Sequence, residues 1–205
     1  MKPIASLTAR ALTAGAICLV ILGGMMIAHA WPLWNGHTIL LPVTTGHSLS
    51  PVRGERVTLQ TPANRIFVSD DANALAPQEA VRIRPAAGWP RDLADDYRER
   101  RRRLRGRLVY VQFEPIPDAN WQHRPVSVSL KPVDNAVNIR GRIYPTGSTF
   151  HVDFGLDPYY VPEGTASHIA EAIQQRRQVE MEVAVAASGR PRIRRLLIDG
   201  TPFGR

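Results

Sequence analysis

Ser48 stands in Ser48-Leu49-Ser50-Pro51, shortly after a long apolar run. A serine in that position can act as a nucleophile if a base lies within reach. The base must be deprotonated near neutral pH, which arginine cannot manage. Of 26 basic residues only Lys2 and Lys131 are lysine, so Lys131, in Leu130-Lys131-Pro132, is the candidate base beyond the run. His37, His47, His123, His151 and His168 are scattered, with no pair at the helical spacing that metal ligands use. One cysteine excludes a disulfide framework and a Cys-rich zinc site, and Cys18, inside the apolar run, reads as a small filler residue. There is no Gly-rich phosphate loop and no nucleophile elbow. Asp70-Asp71 and Asp95-Asp96 fit solvated or helix-start roles. These residues lead us to expect no cofactor and no metal, and they leave Ser48 with Lys131 as the catalytic pair to weigh.

The apolar run is the first element that must position them. Ala11 to Ala30 are twenty residues without a formal charge, preceded by Lys2 and Arg10. Twenty helical residues rise about 30 Å, the thickness of a bilayer's hydrocarbon core. The basic flank predicts an N-terminus in the cytoplasm, with Trp31 and Trp34 at the far interface. We therefore expect residues 1–34 to be a cytoplasmic stub and transmembrane anchor, and 35–205 to lie outside the cytoplasm. Ala28-His29-Ala30 also fits a signal-peptide cleavage pattern, although the run exceeds the usual length of such a segment. Either outcome leads to the same compartment.

Beyond the anchor, segments 38–44, 55–61, 65–69, 79–84, 107–114, 125–131, 136–144, 149–155, 178–187 and 191–198 read as short strands. Val126-Ser127-Val128-Ser129-Leu130 and Glu180-Met181-Glu182-Val183 alternate as half-buried strands do. Seventeen prolines and fifteen glycines supply turns, among them Ser188-Gly189-Arg190-Pro191 between the last two strands. The fold class predicted is mainly β, a sandwich or barrel-like soluble domain with one or two short helices, plus the N-terminal membrane helix.

Two stretches read as helical. About 91–106 opens with Asp92, Asp95 and Asp96 and closes with Arg100 to Arg103 and Arg105, an order the helix dipole favours. Leu93, Tyr97 and Leu104 share a face to bury. The second, about 165–177, can start at Thr165 as N-cap, with Ile169 and Ile173 one turn apart. The arginine run carries no aromatic stacking surface and lies outside the cytoplasm by this topology, so nucleic acid is not expected. Its bland reading is a solvated helix end, and anionic lipid head groups or an acidic partner face are the alternatives.

The last seventy residues carry a resemblance. Val137-Asn138-Ile139-Arg140-Gly141-Arg142, a hairpin, then Tyr159-Tyr160-Val161-Pro162-Glu163-Gly164, a short helix and a closing hairpin follow one another in order. This order resembles the C-terminal half of the GDYXXLXY family, bacterial membrane-anchored proteins of unknown function. The segment similar to the motif that gives the family its name is Gly54-Glu55-Arg56-Val57-Thr58-Leu59-Gln60-Thr61. Gly54 and Leu59 match, Glu55 is a conservative exchange, and Arg56 and Thr61 stand where the family has tyrosines. The resemblance covers about 137–199 and, more loosely, 36–61. It implies a periplasmic domain on the inner membrane and, because such proteins are often encoded beside multi-pass membrane proteins, a multi-pass partner.

Read from the residues themselves, Gly54 suits a tight turn, with Val57 and Leu59 facing the core and Glu55 at its rim. Tyr160, Pro162, Glu163 and Gly164 read as a strand end turning into a helix, with Glu163 near a helix N-terminus. The enzyme alternative rests on another likeness. Membrane-anchored signal peptidases also hold a serine near the bilayer, in Ser-Met-x-Pro upstream of Gly-Asp-x-Val, with a lysine base. Here the spacing from Pro51 to Gly54 is two residues shorter, and Lys131 lacks an Arg-Val-x-Gly-like setting. The expected function is a membrane-tethered binding or assembly module rather than an enzyme.

Overall fold

A computed structural model of the chain describes residues 4–49, 55–69, 80–86, 89, 97–117, 122–156 and 159–203. It begins with α1, Ile4–Asn35, a 32-residue helix, about 48 Å long at 1.5 Å per residue. Its stretch Ala9–Ile27 has a mean hydropathy of 1.9 and is long and apolar enough to cross a membrane. None of that stretch is buried against the rest of the protein. Only Gly36 separates α1 from the first strand.

Thirteen strands are present among the described residues. They are β1 (His37–Pro42), β2 (Thr45–Leu49), β3 (Glu55–Gln60), β4 (Arg65–Val68), β5 (Val81–Pro85), β6 (Arg107–Pro115) and β7 (His123–Ser129). The second half of the chain adds β8 (Val137–Thr146), β9 (Thr149–Asp153), β10 (Tyr159–Val161), β11 (Val179–Val185), β12 (Pro191–Ile198) and β13 (Thr201–Phe203). Two more helices are α2 (Tyr97–Leu104) and α3 (Ala166–Gln174). Every strand expected from the sequence has a counterpart here. The unexpected ones, β2, β10 and β13, lie at sheet edges. They are short and carry no alternating apolar pattern, so pairing with a neighbour, rather than their own periodicity, makes them strands.

Strands β4-β5-β7-β6-β8-β9 close into a barrel, with β4–β5 and β5–β7 parallel and the remaining pairs antiparallel. Inward-facing Ile66, Ile83, Val109, Val111, Phe113, Val128, Ile139, Ile143 and Val152 are almost fully buried and fill it. A four-stranded sheet, β1-β11-β12-β13, and a three-stranded sheet, β10-β3-β2, complete the fold. The mainly β expectation therefore stands, as a barrel carrying two small sheets.

Two local expectations change, and a third is only partly described. All seven residues of β11 are buried, so the alternation of Glu180 and Glu182 does not mark a solvent face. Thr165 is no N-cap in the hydrogen-bonding sense, because its hydroxyl turns back to the Pro162 carbonyl and makes no cap bond. Of the arginine-rich helix, Tyr97–Leu104 is helical, while 91–96 lie outside the described residues. Leu104 is fully buried as expected, and Arg103 Nε bonds Glu99 Oε1 at 2.6 Å along the exposed side.

Gly141 shows how tightly β8 meets β9. A Cβ there would lie 2.6 Å from Val152 Cγ1 and 2.8 Å from the Asp153 carbonyl oxygen. Neither a β-branched side chain nor a paired backbone can retreat easily. Gly141→Ala is therefore expected to lose about 1–3 kcal/mol. A lowered urea midpoint for the detergent-solubilised protein is the measurement, and an unchanged midpoint refutes the close approach.

Candidate functional site

The two motif segments, distant in sequence, meet in one sheet. Strand β10 pairs antiparallel with β3, setting Tyr159 opposite Val57, Tyr160 opposite Arg56 and Val161 opposite Glu55. On the other edge of β3, β2 sets Ser48 opposite Val57 and Leu49 opposite Arg56. Val57 and Leu59 are buried, as alternation requires, and α3 packs over β2 and β3. Tyr159 and Val161 share the inner face, which leaves Tyr160 outward and 65% exposed. Pro162, Glu163 and Gly164 form the exposed turn into α3, where Gly164 adopts φ +80. Gly54 lies outside the described residues, as do the side chains of Ser48 and Glu55.

Lys131 is exposed beyond the end of β7, where its carbonyl accepts the Ser129 hydroxyl. Ser48 belongs to the three-stranded sheet and Lys131 follows a barrel strand, while β2 packs on β3 and α3. Among the described residues no three side chains of His, Cys, Asp and Glu converge as a metal site would need.

Two features escape sequence reasoning. The first is a buried polar seam on the four-stranded sheet. Glu180 and Glu182 are 3% and 6% exposed. Glu180 accepts from Gln122 Nε2 at 2.6 Å. Glu182 accepts from Arg195 Nε at 2.6 Å and lies 3.4 Å from Arg194 Nη1. Register along β12 shifts here: Glu182 faces Arg195 while Val183 faces Ile193. The extra residue of this bulge is Arg194, which brings a second guanidinium to the same carboxylate.

The second is a cleft of about 480 Å³ between the barrel and the β11–β12 hairpin, lined by Arg140, Arg142, Arg190 and Arg192. Gly141 forms part of its wall, and Asp153 is the carboxylate in it. The hairpin is fastened there by the Arg140 N–H, which donates to the Gly189 carbonyl at 2.9 Å. Gly189 has φ +78, and a Cβ on it would meet the Asn138 carbonyl oxygen at 3.2 Å. Arginines beside glycines at 140–142 and 189–190 were the available signal, but nothing local says that the two segments meet.

Burial raises the phenol of Tyr159 above its ordinary value of 10.0, because the phenolate is desolvated there. A folded value above the unfolded one means that this stability is complete below pH 10 and is lost as pH rises through the folded value. Absorbance titration of the five tyrosines is expected to show one ionising late, and Tyr159→Phe to remove that step. A late step that persists in the variant assigns it elsewhere and contradicts the burial of Tyr159.

The family model of the GDYXXLXY protein matches residues 18–196, which takes in the arginine-rich middle as well as the two segments that carry the resemblance. Neither a curated protein nor a solved structure matches the chain. Most of the apolar helix, both motif strands and all but the last two residues of the closing hairpin fall within one continuous match, and the chain belongs to the GDYXXLXY family.

Proposed function

We propose that the protein is a membrane-tethered binding or assembly module, held on the extracytoplasmic face of a bacterial inner membrane and working with a multi-pass membrane protein. The observation that carries this reading is the single-residue passage from α1 through Gly36 into β1. Strand β1 pairs along its whole length with buried β11, so the helix end is fixed to the core of a sheet. A flexible linker would let the domain sample a large volume. A one-residue connection instead holds one face of the domain beside the bilayer, at high effective concentration for a neighbour embedded there.

Orientation follows from Lys2 and Arg10, which favour a cytoplasmic N-terminus. The motif sheet offers the partner-facing surface. Tyr160 is among the few large apolar side chains exposed outside α1, and it stands beside the exposed Glu163. A tyrosine with an apolar ring and a polar tip suits a protein contact.

Reporter fusions after Arg205 test the topology. Activity of an export-dependent reporter is expected, and activity of a cytoplasm-only reporter overturns the reading. Crosslinking in native membranes with mass spectrometry is expected to recover one multi-pass protein reproducibly, and to lose it in Tyr160→Ala. Recovery of none rejects the assembly role. Labelling of Ser48 by a serine-directed probe, abolished by Lys131→Ala, would replace this reading with a hydrolase.

A further inference from the structure

The arginine cleft has a position as well as a charge. His37, the first residue of β1, is paired with Val185, the last residue of β11. Val185 in turn faces Pro191, the first residue of β12. The hairpin Ala186–Arg190 therefore lies at the end of the sheet that α1 enters, and α1 packs against β11 and β12. The apolar stretch of α1 ends at Ile27 and the helix at Asn35. Those last turns rise about 12 Å on a helix standing along the bilayer normal, past a head-group layer about 5–7 Å thick, and the hairpin, at the α1 end of the sheet, is on the side of the domain nearest that layer.

The charge is not used up within the protein. Arg194 and Arg195 serve Glu182, Arg177 serves Asp199 and Arg103 serves Glu99. Arg142 Nη1 donates to the Gly106 carbonyl at 3.0 Å, a neutral acceptor that leaves its charge in place. Among the described residues neither the Arg140 nor the Arg190 guanidinium forms an ion pair. Asp153, the carboxylate of the cleft, spends Oδ1 on the Gly155 N–H at 2.8 Å. Among the described residues, Arg140, Arg142 and Arg190 bring three guanidiniums to a cleft that holds the one carboxylate of Asp153, which leaves it positive. Arginine forks match phosphate oxygens in geometry and in charge.

An apolar rim accompanies this charge. Outside α1, the large apolar side chains exposed among the described residues are Leu108 and Tyr160, and Leu108 lines the cleft at 43% exposure. A free phosphate would have no use for it. A lipid, which carries glycerol and acyl carbons beside its phosphate, would.

We infer that the cleft formed by Arg140, Arg142, Arg190 and Arg192, with Leu108 at its rim, binds the phosphate of an acidic phospholipid head group. The site holds the cleft face of the domain against the head-group layer. This inference rests on the tethered reading above and adds the ligand that orients the tether. It also moves the lipid contact expected from the sequence away from the arginines of α2. Those arginines have Glu99 on their own helix and do not line the cleft.

The test uses the full-length protein in nanodiscs of phosphatidylcholine doped with phosphatidylglycerol, with retained lipid counted by native mass spectrometry. Wild type and the α2 variant Arg101→Gln/Arg102→Gln are expected to retain phosphatidylglycerol in preference to phosphatidylcholine. Arg140→Gln/Arg190→Gln is expected to lose that preference by about tenfold. Arg190→Glu, at an exposed hairpin position that need not disturb folding, is expected to do the same. Equal retention by wild type and Arg190→Glu overturns the inference. So does displacement of the lipid by inorganic phosphate as effective as that by short-chain phosphatidylglycerol, which would assign the cleft to a soluble anion. Lipid retention is read without any partner and without cellular topology. Its failure therefore leaves the tethered reading standing, and a cytoplasmic reporter result rejects that reading separately.

Discussion

The fold depends on strand β11 being covered on both faces. Its apolar residues Val179, Met181, Val183 and Val185 are part of the core, and the opposite face brings Glu180 and Glu182 into the interior as well. A buried carboxylate without donors would cost several kcal/mol, on the order of a domain's whole stability. Each is therefore supplied with a donor from elsewhere in the chain. Gln122, just before β7, reaches Glu180, and the bulge on β12 brings Arg195 and Arg194 to Glu182. Leu40 of β1 also bridges to Gln122, so the seam that satisfies Glu180 joins the four-stranded sheet to the barrel. Breaking one half of such a pair costs more than the pair contributes, because the remaining group stays buried.

With β11 held in place, the ends of the sheet acquire different surroundings. At one end lie the exit of α1, the hairpin and the arginine cleft. At the other, the turn between β12 and β13 is tied to the end of α3. Asp199 accepts from Arg177 Nε at 2.7 Å and from the Gln178 N–H at 3.0 Å. The Arg177 bond first, then the backbone one, holds the Asp199 carboxyl below its ordinary value. Because that carboxylate is exposed, the bond orders a turn more than it stabilises the fold. One sheet thus carries both the connection to the apolar helix and the helix that packs over the motif strands.

Arginine usage divides along the same lines. A chain with almost no lysine places arginine wherever a cation is wanted, and the structure separates the uses. Some guanidiniums neutralise a named carboxylate, those of α2 sit on an exposed helix, and Arg140, Arg142 and Arg190 converge on the cleft. Convergence of like charge opposes folding, a cost that a bound anion would offset. Gly141 and Gly189 allow this convergence: a Cβ on Gly141 would overlap Val152 and the Asp153 carbonyl, and Gly189 holds φ +78, which L side chains rarely adopt.

The sequence by itself determined the apolar helix, the mainly β class, the ten short strands, the hairpin at Gly189 and the inward faces of Val57, Leu59 and Leu104. Each of these is written in local terms: a run length, a period or a residue that turns the chain. It also carried the family, because Arg140-Gly141-Arg142 and Tyr160-Val161-Pro162-Glu163-Gly164 stand in order around recognisable elements. What only the tertiary structure decided is what covers each face. Alternation in β11 reports that two faces differ, but whether the polar face meets water or Gln122 and Arg195 depends on residues far along the chain. The short edge strands β2 and β10 exist because β3 lies between them. The cleft exists because the Arg140 amide bonds the Gly189 carbonyl, and a pattern confined to one segment cannot encode a contact whose two halves lie in different segments.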